Sequence, residues 1–129
     1  MKPENIKFKA KCLDNSDWVE GSLIRSTSGI KERAYIVDNF SSMSDYSVVG
    51  IDPSTICQFT GLKDCECNEI WEGDIVHDSY YLLCIDNLYD VVYIEEEGTF
   101  AFKSLDKVDN YEPFVNLFEV YVVGNKFDK

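Results

Sequence analysis

The chain has 129 residues, the size of one domain, and 45% of them are hydrophobic, which is typical of a folded globular protein. Its 24 acidic residues outnumber 12 basic ones, and the formal charge of −12 disfavours direct binding to the phosphates of nucleic acid. Five cysteines make an odd number without paired secretory spacing, which argues against a disulfide framework and for free thiols.

The first predicted element is a strand with one face in water. Ile6, Phe8 and Ala10 alternate with three lysines at positions 7, 9 and 11, which is the period of two expected for a half-buried strand. This segment lacks the continuous apolar run of a signal peptide, and nothing later approaches a membrane-spanning length. We therefore expect no membrane association and a cytoplasmic location.

Turn residues and β-rich runs alternate through the first half of the chain. The Asp14–Asp17 segment has turn chemistry because short Asx side chains can accept hydrogen bonds from nearby backbone amides. Strands are predicted at Trp18–Ile24, Ala34–Asp38 and Tyr46–Asp52, and Pro53 ends the last of them. A further strand is predicted at Thr55–Thr60.

The second half continues the same pattern. Asn68–Val76 is a strand interrupted at Gly73, where we expect a bend or bulge. Tyr80–Ile85 and Tyr89–Ile94 are apolar on both faces and are the candidates for central strands. Glu97 and Gly98 predict a tight turn, after which Phe100 and Phe102 share a face; Phe118, Val120 and Val122 alternate near the end of the chain.

About ten short β-rich runs, without any sustained helical periodicity, predict an all-β or mainly β fold. We expect a single compact domain over residues 1–129, built from barrel-like or strongly bent antiparallel sheets with short helical turns at most. Barrel and sandwich architectures both stay open. No linker, repeat or low-complexity segment divides the chain.

One segment is distinctive enough to indicate a family. Ile51–Val76, "IDPSTICQFTGLKDCECNEIWEGDIV", combines a Thr-Gly-Leu-Lys-Asp block with a Glu-Gly-Asp-Ile block, and "WVEGSLI" precedes it while "FEVYVVGN" follows it. In this order and spacing the blocks resemble the YopX-like family encoded by phages and prophages. The resemblance covers nearly the whole chain and implies a mostly β fold from a mobile genetic element. It brings no catalytic residues with it.

The chain departs from that family at the tip between the two blocks. Where the family has a Lys-Asn-Gly-Lys type of hairpin tip, this sequence has Cys65, Glu66, Cys67 and Asn68. A tight turn of this kind needs a positive φ, which Asn tolerates better than Cys. Either Asn68 takes the left-handed position or the loop has a different geometry.

The two blocks have both a structural and a functional interpretation. Glycines permit special backbone geometry, the aspartates can accept hydrogen bonds from nearby amides, and the tryptophan supplies core area. Alternatively, the hairpin and its Glu-Gly-Asp corner present a surface to a partner. The predicted partner-binding residues are Gly61, Lys63, Asp64, Trp71, Glu72 and Asp74.

Catalytic and metal chemistry find little support in the sequence. Glu72, Asp74 and Asp78 could share a divalent cation, but acidic residues are abundant in this chain. The two thiols of Cys65 and Cys67 lack the further ligands of a zinc site, and His77 is the only histidine. The seven glycines are isolated, so no phosphate-binding loop is present. We expect no metal, no cofactor and no catalytic residues.

The sequence thus predicts a nonenzymatic phage or prophage accessory protein that binds another macromolecule, a host or phage protein. One alternative is an acidic decoy that imitates nucleic acid and occupies a host protein. A second is a hydrolase that depends on a divalent metal. A symmetric homo-oligomer stays open, because aromatic-rich β surfaces can pack against copies of themselves.

Overall fold

A computed structural model of the chain describes residues 2–26, 33–38, 47–78, 87–105, 111–113 and 119–128. Within these ranges the backbone forms eleven strands and two short 3₁₀ helices, and no α-helix. All strand pairings that are defined there are antiparallel. The predicted mainly β class, with helical turns at most, is confirmed.

The chain divides into two compact units, Met1–Phe59 and Thr60–Lys129. The first holds the strands β1 (Phe8–Lys11), β2 (Trp18–Ser26), β3 (Arg33–Asp38), β4 (Val48–Ile51) and the beginning of β5 (Cys57–Lys63). Short 3₁₀ helices cover Pro3–Asn5 and Pro53–Thr55. Within the first unit these strands lie in the order β4-β3-β2-β1-β5.

The sheet of the first unit bends until its edge strand meets β1 again. Beyond the end of β1, Cys12 forms an antiparallel bridge with Ile51 of β4. The Leu13 N–H donates to the Gly50 carbonyl at 3.1 Å, and the Asp52 N–H donates to the Lys11 carbonyl at 2.9 Å. These bonds satisfy backbone groups that an open sheet edge would leave unpaired. The prediction of barrel-like or strongly bent antiparallel sheets is confirmed in this unit by the bend that brings β4 to the end of β1.

The alternation is confirmed at Ala10 of β1, whereas Ile6, which precedes the strand, is 54% exposed. Ala10 is fully buried in a cluster with Ala34, Ile36 and Ile51. On the other face, the ammonium groups of Lys9 and Lys11 lie 4.6 and 4.8 Å from the ring centroid of Trp18. Aromatic rings attract cations in this geometry, so the lysines cover the tryptophan while their charges stay near water.

Gly21 of β2 lies where the backbones of β2 and β3 approach each other closely. It is paired with Phe8 of β1 on one side and with Asp38 of β3 on the other. A Cβ atom at this position would lie 2.0 Å from the carbonyl oxygen of Val37. Only glycine leaves room for that close approach of two backbones.

The strand predicted from Thr55 begins two residues later, at Cys57. Pro53–Thr55 form a 3₁₀ helix whose first amide is capped by the Asp52 side chain, which accepts from the Ser54 N–H at 3.0 Å. The Thr55 hydroxyl donates to the Asp52 carbonyl and accepts from the Lys11 N–H. Thr55, which β propensity alone assigned to a strand, therefore belongs to a capped 3₁₀ turn.

The second unit continues β5 and adds β6 (Glu69–Trp71), β7 (Asp74–Asp78), β8 (Asn87–Ile94), β9 (Thr99–Ser104), β10 (Tyr111–Glu112) and β11 (Val120–Asn125). Its sheet has the order β10-β9-β8-β7-β11, so β11 is an edge strand paired with β7 alone. The buried cluster of this unit consists of Ile70, Val76, Val91, Phe102 and Val120. Single-domain organisation stays a prediction.

Most second-half predictions fall on described residues. Tyr89–Ile94 lies in the central strand β8, as expected, and Gly98 closes the predicted turn with a φ of 64°. Phe102 is buried, but Ala101 is buried as well, so β9 is covered on both faces at this point. Tyr80–Ile85 and Phe118 lie outside the described residues. In the described part of the chain, no helix has the length and apolar character needed to cross a bilayer.

Candidate functional site

The two blocks of the distinctive segment form the end of β5, the turn 64–68, strand β6 and the corner that leads into β7. The structure places the predicted partner-binding residues in different surroundings. Asp64, Trp71 and Asp74 are buried, with exposed fractions of 8%, 4% and 2%, Gly61 and Glu72 are half-buried, and Lys63 is exposed. The three buried side chains therefore contact the protein itself.

The carboxylate of Asp64 organises the turn 64–68. Its Oδ1 accepts the backbone N–H groups of Glu66 and Asn68 at 2.9 and 2.8 Å, and its Oδ2 accepts the Asn68 side-chain amide at 3.2 Å. The Asp64 N–H also donates to the Asn68 carbonyl at 2.8 Å. A single ionised side chain thus satisfies the amides of a loop that has no regular ladder.

The same carboxylate fastens this turn to the edge strand β11. Asp64 Oδ2 accepts the Val122 N–H at 3.0 Å, and the neighbouring Cys65 N–H donates to the Val120 carbonyl at 3.1 Å. Burial alone raises the pKa of Asp64, but the hydrogen bonds from Val122, Asn68 and Glu66 outweigh it and hold the pKa below its ordinary value of 3.8. Asp64 is therefore ionised in the folded protein at neutral pH.

Asp74 stabilises the corner between β6 and β7. Its Oδ2 accepts the Trp71 N–H at 2.8 Å, and its Oδ1 accepts the side-chain amide of Asn125, just beyond the bulged part of β11, at 3.0 Å. Between them, Gly73 has a φ of 87°; its N–H donates to the Val91 carbonyl and its carbonyl accepts the Lys126 N–H. The bend predicted at Gly73 is confirmed, and its backbone is bonded to Val91 of β8 and to Lys126, which follows β11.

The carboxylates proposed as cation ligands are already engaged with the protein. Both oxygens of Asp74 accept hydrogen bonds from protein donors, and Asp78 is 2% exposed. Among the described ranges, no three His, Cys, Asp or Glu side chains converge as a metal site would need. The two blocks mainly encode the two turns and their attachment to β8 and β11.

The tip of the first turn follows the second of the two predicted alternatives. Cys67, and not Asn68, has the left-handed backbone, with a φ of 66°. Asn68 instead uses its backbone and side-chain amides as donors to Asp64. The hydrogen-bonding capacity of Asn68 therefore outweighs its preference for the left-handed region, and the strain falls on the cysteine.

Replacing Cys67 by glycine is expected to raise the free energy of unfolding by about 0.5–1 kcal/mol, because glycine adopts a positive φ without the Cβ contact that a cysteine makes there. Urea titration followed by tryptophan fluorescence measures the change. Glu66→Gly is the matched control, since Glu66 is exposed in the same turn and has no positive φ. That variant is expected to lose stability, and a gain of equal size in both would contradict the assignment.

Away from the two blocks, the second unit has an open groove at the β8–β9 hairpin. It encloses about 470 Å³, within the range of pockets that bind small ligands or peptide side chains. Its lining is mainly apolar and comes from three separate segments: Thr60 and Leu62 of β5, Ile94 to Ala101 of the hairpin, and Tyr111 with Pro113. Leu62 and Tyr111 are each 43% exposed, so two large apolar side chains border the groove.

A second cavity of about 450 Å³ adjoins the groove and shares Ile94, Glu97 and Tyr111 with it. Its other lining residues are Val92, Tyr93, Glu95, Glu96 and Lys103. Tyr93 is 40% exposed, and its ring meets Phe100 of β9 edge to face, with centroids 5.2 Å apart and an interplanar angle of 69°. We call the two cavities together the hairpin groove.

Charge is distributed unequally between the two units. Residues 1–59 contain seven Lys and Arg against eight Asp and Glu, whereas residues 60–129 contain five against sixteen. The formal charges are therefore −1 and −11. The acidity of the chain belongs to the unit that holds the hairpin groove, and a basic partner would be attracted to that unit.

Sequence reasoning assigned Glu97 and Gly98 to a tight turn and did not find the groove. Its walls come from residues 60–62, 93–101 and 111–113, which no local pattern connects. The available signal was a run of three glutamates directly after an aromatic β-strand, which places exposed carboxylates beside exposed rings.

Comparison with known proteins gives a family match and a fold match. The family model described as "YopX protein" matches residues 7–129. The crystal structure of protein EF1440 from Enterococcus faecalis is similar with a TM-score of 0.51 and 22% sequence identity, over 93% of this chain and 92% of that one. A search of curated proteins finds no match. At this identity the solved structure supports the fold alone.

Proposed function

The chain belongs to the YopX protein family, and from this premise we propose that it is a nonenzymatic interaction module that binds another protein through its second unit. The observation that carries the proposal is the hairpin groove, an open cavity bordered by exposed apolar side chains in a unit of formal charge −11. Interfaces combine apolar anchors with a polar rim in this way.

The chemistry of the second unit supports a protein partner. Its charge repels the phosphates of nucleic acid and of anionic membranes, whereas a basic protein would be steered towards it. The partner is a host or phage protein in the bacterial cytoplasm, and the chain is an accessory protein of phage or prophage origin. The buried side chains of Asp64, Trp71 and Asp74 act by shaping the unit that presents the groove.

Affinity capture from a bacterial lysate, followed by measurement of pairwise affinity with the purified candidate, tests this function. The groove variant is Leu62→Ser with Tyr111→Ser, and the control is Ile24→Ser with Val48→Ser, which changes two similarly exposed apolar residues of the first unit. We expect the groove variant to weaken binding about tenfold and the control to leave it unchanged. Equal binding by both variants, or turnover of a substrate by the protein, would contradict the proposal.

The unequal charge of the two units also favours a second candidate function, that of a decoy for a nucleic-acid-binding protein. Sixteen carboxylates within residues 60–129 could occupy the basic surface of such a protein. A decoy predicts that double-stranded DNA competes with the chain for the captured partner, and that binding falls steeply as salt rises. Capture that survives excess DNA would favour the interaction module over the decoy.

A further inference from the structure

We infer that Cys65 and Cys67 form a reversible intramolecular disulfide by exchange with a low-molecular-weight disulfide such as glutathione disulfide. This modification site lies at the tip of the turn 64–68 and uses none of the residues that line the hairpin groove. Three features of the turn carry the inference: the exposure of both thiols, the distance that the backbone sets between them, and the backbone conformation of Cys67.

The two thiols of the turn are accessible to a reagent in solution. Cys65 and Cys67 are both exposed, whereas Cys12 in the first unit is half-buried. Cys57 of β5 is fully buried, and its thiol donates to the Thr55 carbonyl at 3.4 Å. Thiol–disulfide exchange requires access to the attacking sulfur, so the reaction is directed to the turn and away from Cys57.

The backbone of the turn sets the distance between the two cysteines. The Cys67 N–H donates to the Asp64 carbonyl at 3.0 Å, and neither Cys65 nor Glu66 has a positive φ, which defines a type I turn over residues 64–67. The central residues of such a turn have α-like backbone, in which Cα atoms two residues apart are separated by about 5.5 Å. Disulfides usually join Cα atoms about 4.4–6.8 Å apart, so the ring can close without rearrangement of the turn.

The backbone of Cys67 is the second unusual feature of this pair. A type I turn followed by a left-handed residue is a common hairpin connection, and glycine suits the left-handed position best because a Cβ makes a close contact there. Cys67 has this conformation, with a φ of 66°. An unfavourable backbone at an exposed side chain is the kind of outlier that points to a role for the side chain itself.

The exchange proceeds in two steps that balance. The thiolate of one cysteine attacks a sulfur of glutathione disulfide, forms a mixed disulfide and releases one glutathione thiolate. The thiolate of the other cysteine then attacks the protein sulfur of that mixed disulfide, closes the ring and releases the second glutathione. The two protein thiols are oxidised, one glutathione disulfide is reduced to two glutathione thiols, and the two protons pass from the cysteines to the glutathione.

The resulting disulfide is of the labile kind. It closes a loop of only three residues, and the chain entropy that a disulfide removes from the unfolded state grows with the length of the loop. Exposed disulfides of this kind have more oxidising potentials than structural disulfides and are opened by thiols in solution. The turn is therefore a dithiol in a reducing medium and closes when the proportion of glutathione disulfide rises.

Incubation of the folded full chain with glutathione disulfide tests the inference, followed by acid quenching, alkylation of the remaining thiols in denaturant and mass spectrometry. We expect the main product to have lost two hydrogens, about 2 Da, and two alkylation sites, both in the peptide that contains residues 64–68. Excess reduced glutathione should restore alkylation at all five cysteines. Unchanged thiols, a stable mixed disulfide, a disulfide-linked dimer or a bridge to Cys12 or Cys84 would each overturn the inference.

Single substitutions separate ring closure from the reactivity of one exposed thiol. Cys65→Ser and Cys67→Ser each leave one thiol in the turn, so each is expected to stop at the mixed disulfide, heavier by one glutathione, about 305 Da. Cys12→Ser is the matched control and should lose two hydrogens as the parent does. Circular dichroism checks that all three variants are folded. If either turn variant still loses two hydrogens, a different pair of cysteines is responsible and the assigned site is wrong.

Discussion

Replacing Asp64 by alanine is expected to lower the free energy of unfolding by about 3 kcal/mol, because hydrogen bonds to a charged acceptor contribute about 1.5–3 kcal/mol each and part of the loss is recovered by water. The carboxylate accepts four hydrogen bonds in the structure, one of them from Val122 of β11. Urea or thermal unfolding measures the loss. Hydrogen exchange should locate it, with the Val122 amide losing its protection. A change below about 0.5 kcal/mol would contradict the role of this side chain.

The pH dependence of Asp64→Asn separates the charge from the shape of the side chain. The folded-state pKa of Asp64 lies below 3.8, so the ionised group stabilises the fold above its unfolded pKa, and this contribution is lost as the pH falls through the folded pKa. We expect the stability difference between parent and Asp64→Asn to be constant at neutral pH and to shrink below about pH 4. A difference independent of pH down to the acid limit would refute the assignment.

Asp90→Asn is the matched control, with the opposite sign. Burial raises the pKa of Asp90 above 3.8, and the charges of Lys126 and Lys103 only partly offset it. Its Oδ1 is buried without a hydrogen-bond partner. Ionised Asp90 therefore costs the fold stability as the pH rises through its folded pKa, and below the unfolded pKa the cost is absent. Asp90→Asn should gain stability over the parent at neutral pH, with the gain disappearing in acid.

Replacing Gly21 by alanine is expected to destabilise the first unit by about 3 kcal/mol or more, because the new Cβ would lie 2.0 Å from the Val37 carbonyl oxygen. That contact is with the backbone of β3, which cannot rotate away as a flexible side chain would. Gly21 is paired with strands on both sides, so a shift of β2 would disturb both ladders. Chemical denaturation measures the loss of stability. If the loss is large enough, the variant yields no soluble folded protein.

Gly50→Ala provides the comparison within the same unit. A Cβ at Gly50 meets only the Leu13 Cδ1 at 3.6 Å, which is an ordinary van der Waals distance. We expect this substitution to change the stability by no more than about 0.5 kcal/mol. If Gly21→Ala were tolerated as well as Gly50→Ala, the close approach of β2 and β3 would be wrong.

Local periodicity was enough to predict most strands, because alternation records which side chains face the core. The β1 segment around Ala10 is an example of this alternation. The β8 segment Tyr89–Ile94 was predicted instead from its continuous apolar run, and both strands lie where they were predicted. The same pattern could not predict the 3₁₀ turn Pro53–Thr55, since its stability depends on the Asp52 cap and on the Lys11 amide 44 residues from Thr55.

The functional groups of the two distinctive blocks could be identified from sequence, but their bonding partners could not. Asp64 was expected to accept hydrogen bonds from nearby amides, and three of its four donors are local; the fourth, Val122, is 58 residues away. The backbone strain was expected at Asn68 as one alternative and is at Cys67, because Asn68 is engaged by Asp64. The hairpin groove depends on three segments whose proximity is a property of the tertiary fold.

The attachment of the turn 64–68 to β11 has a consequence for how this protein behaves at high concentration. The outward-facing Val120 carbonyl and Val122 amide are the groups through which a strand from another molecule would dock, and they are occupied by Cys65 and Asp64. These two backbone groups of β11 are therefore not available to pair with a strand of another copy. We therefore expect the ionised Asp64 carboxylate to oppose edge-to-edge association of copies at β11, and we expect this protection to weaken in acid, where the carboxylate takes up a proton.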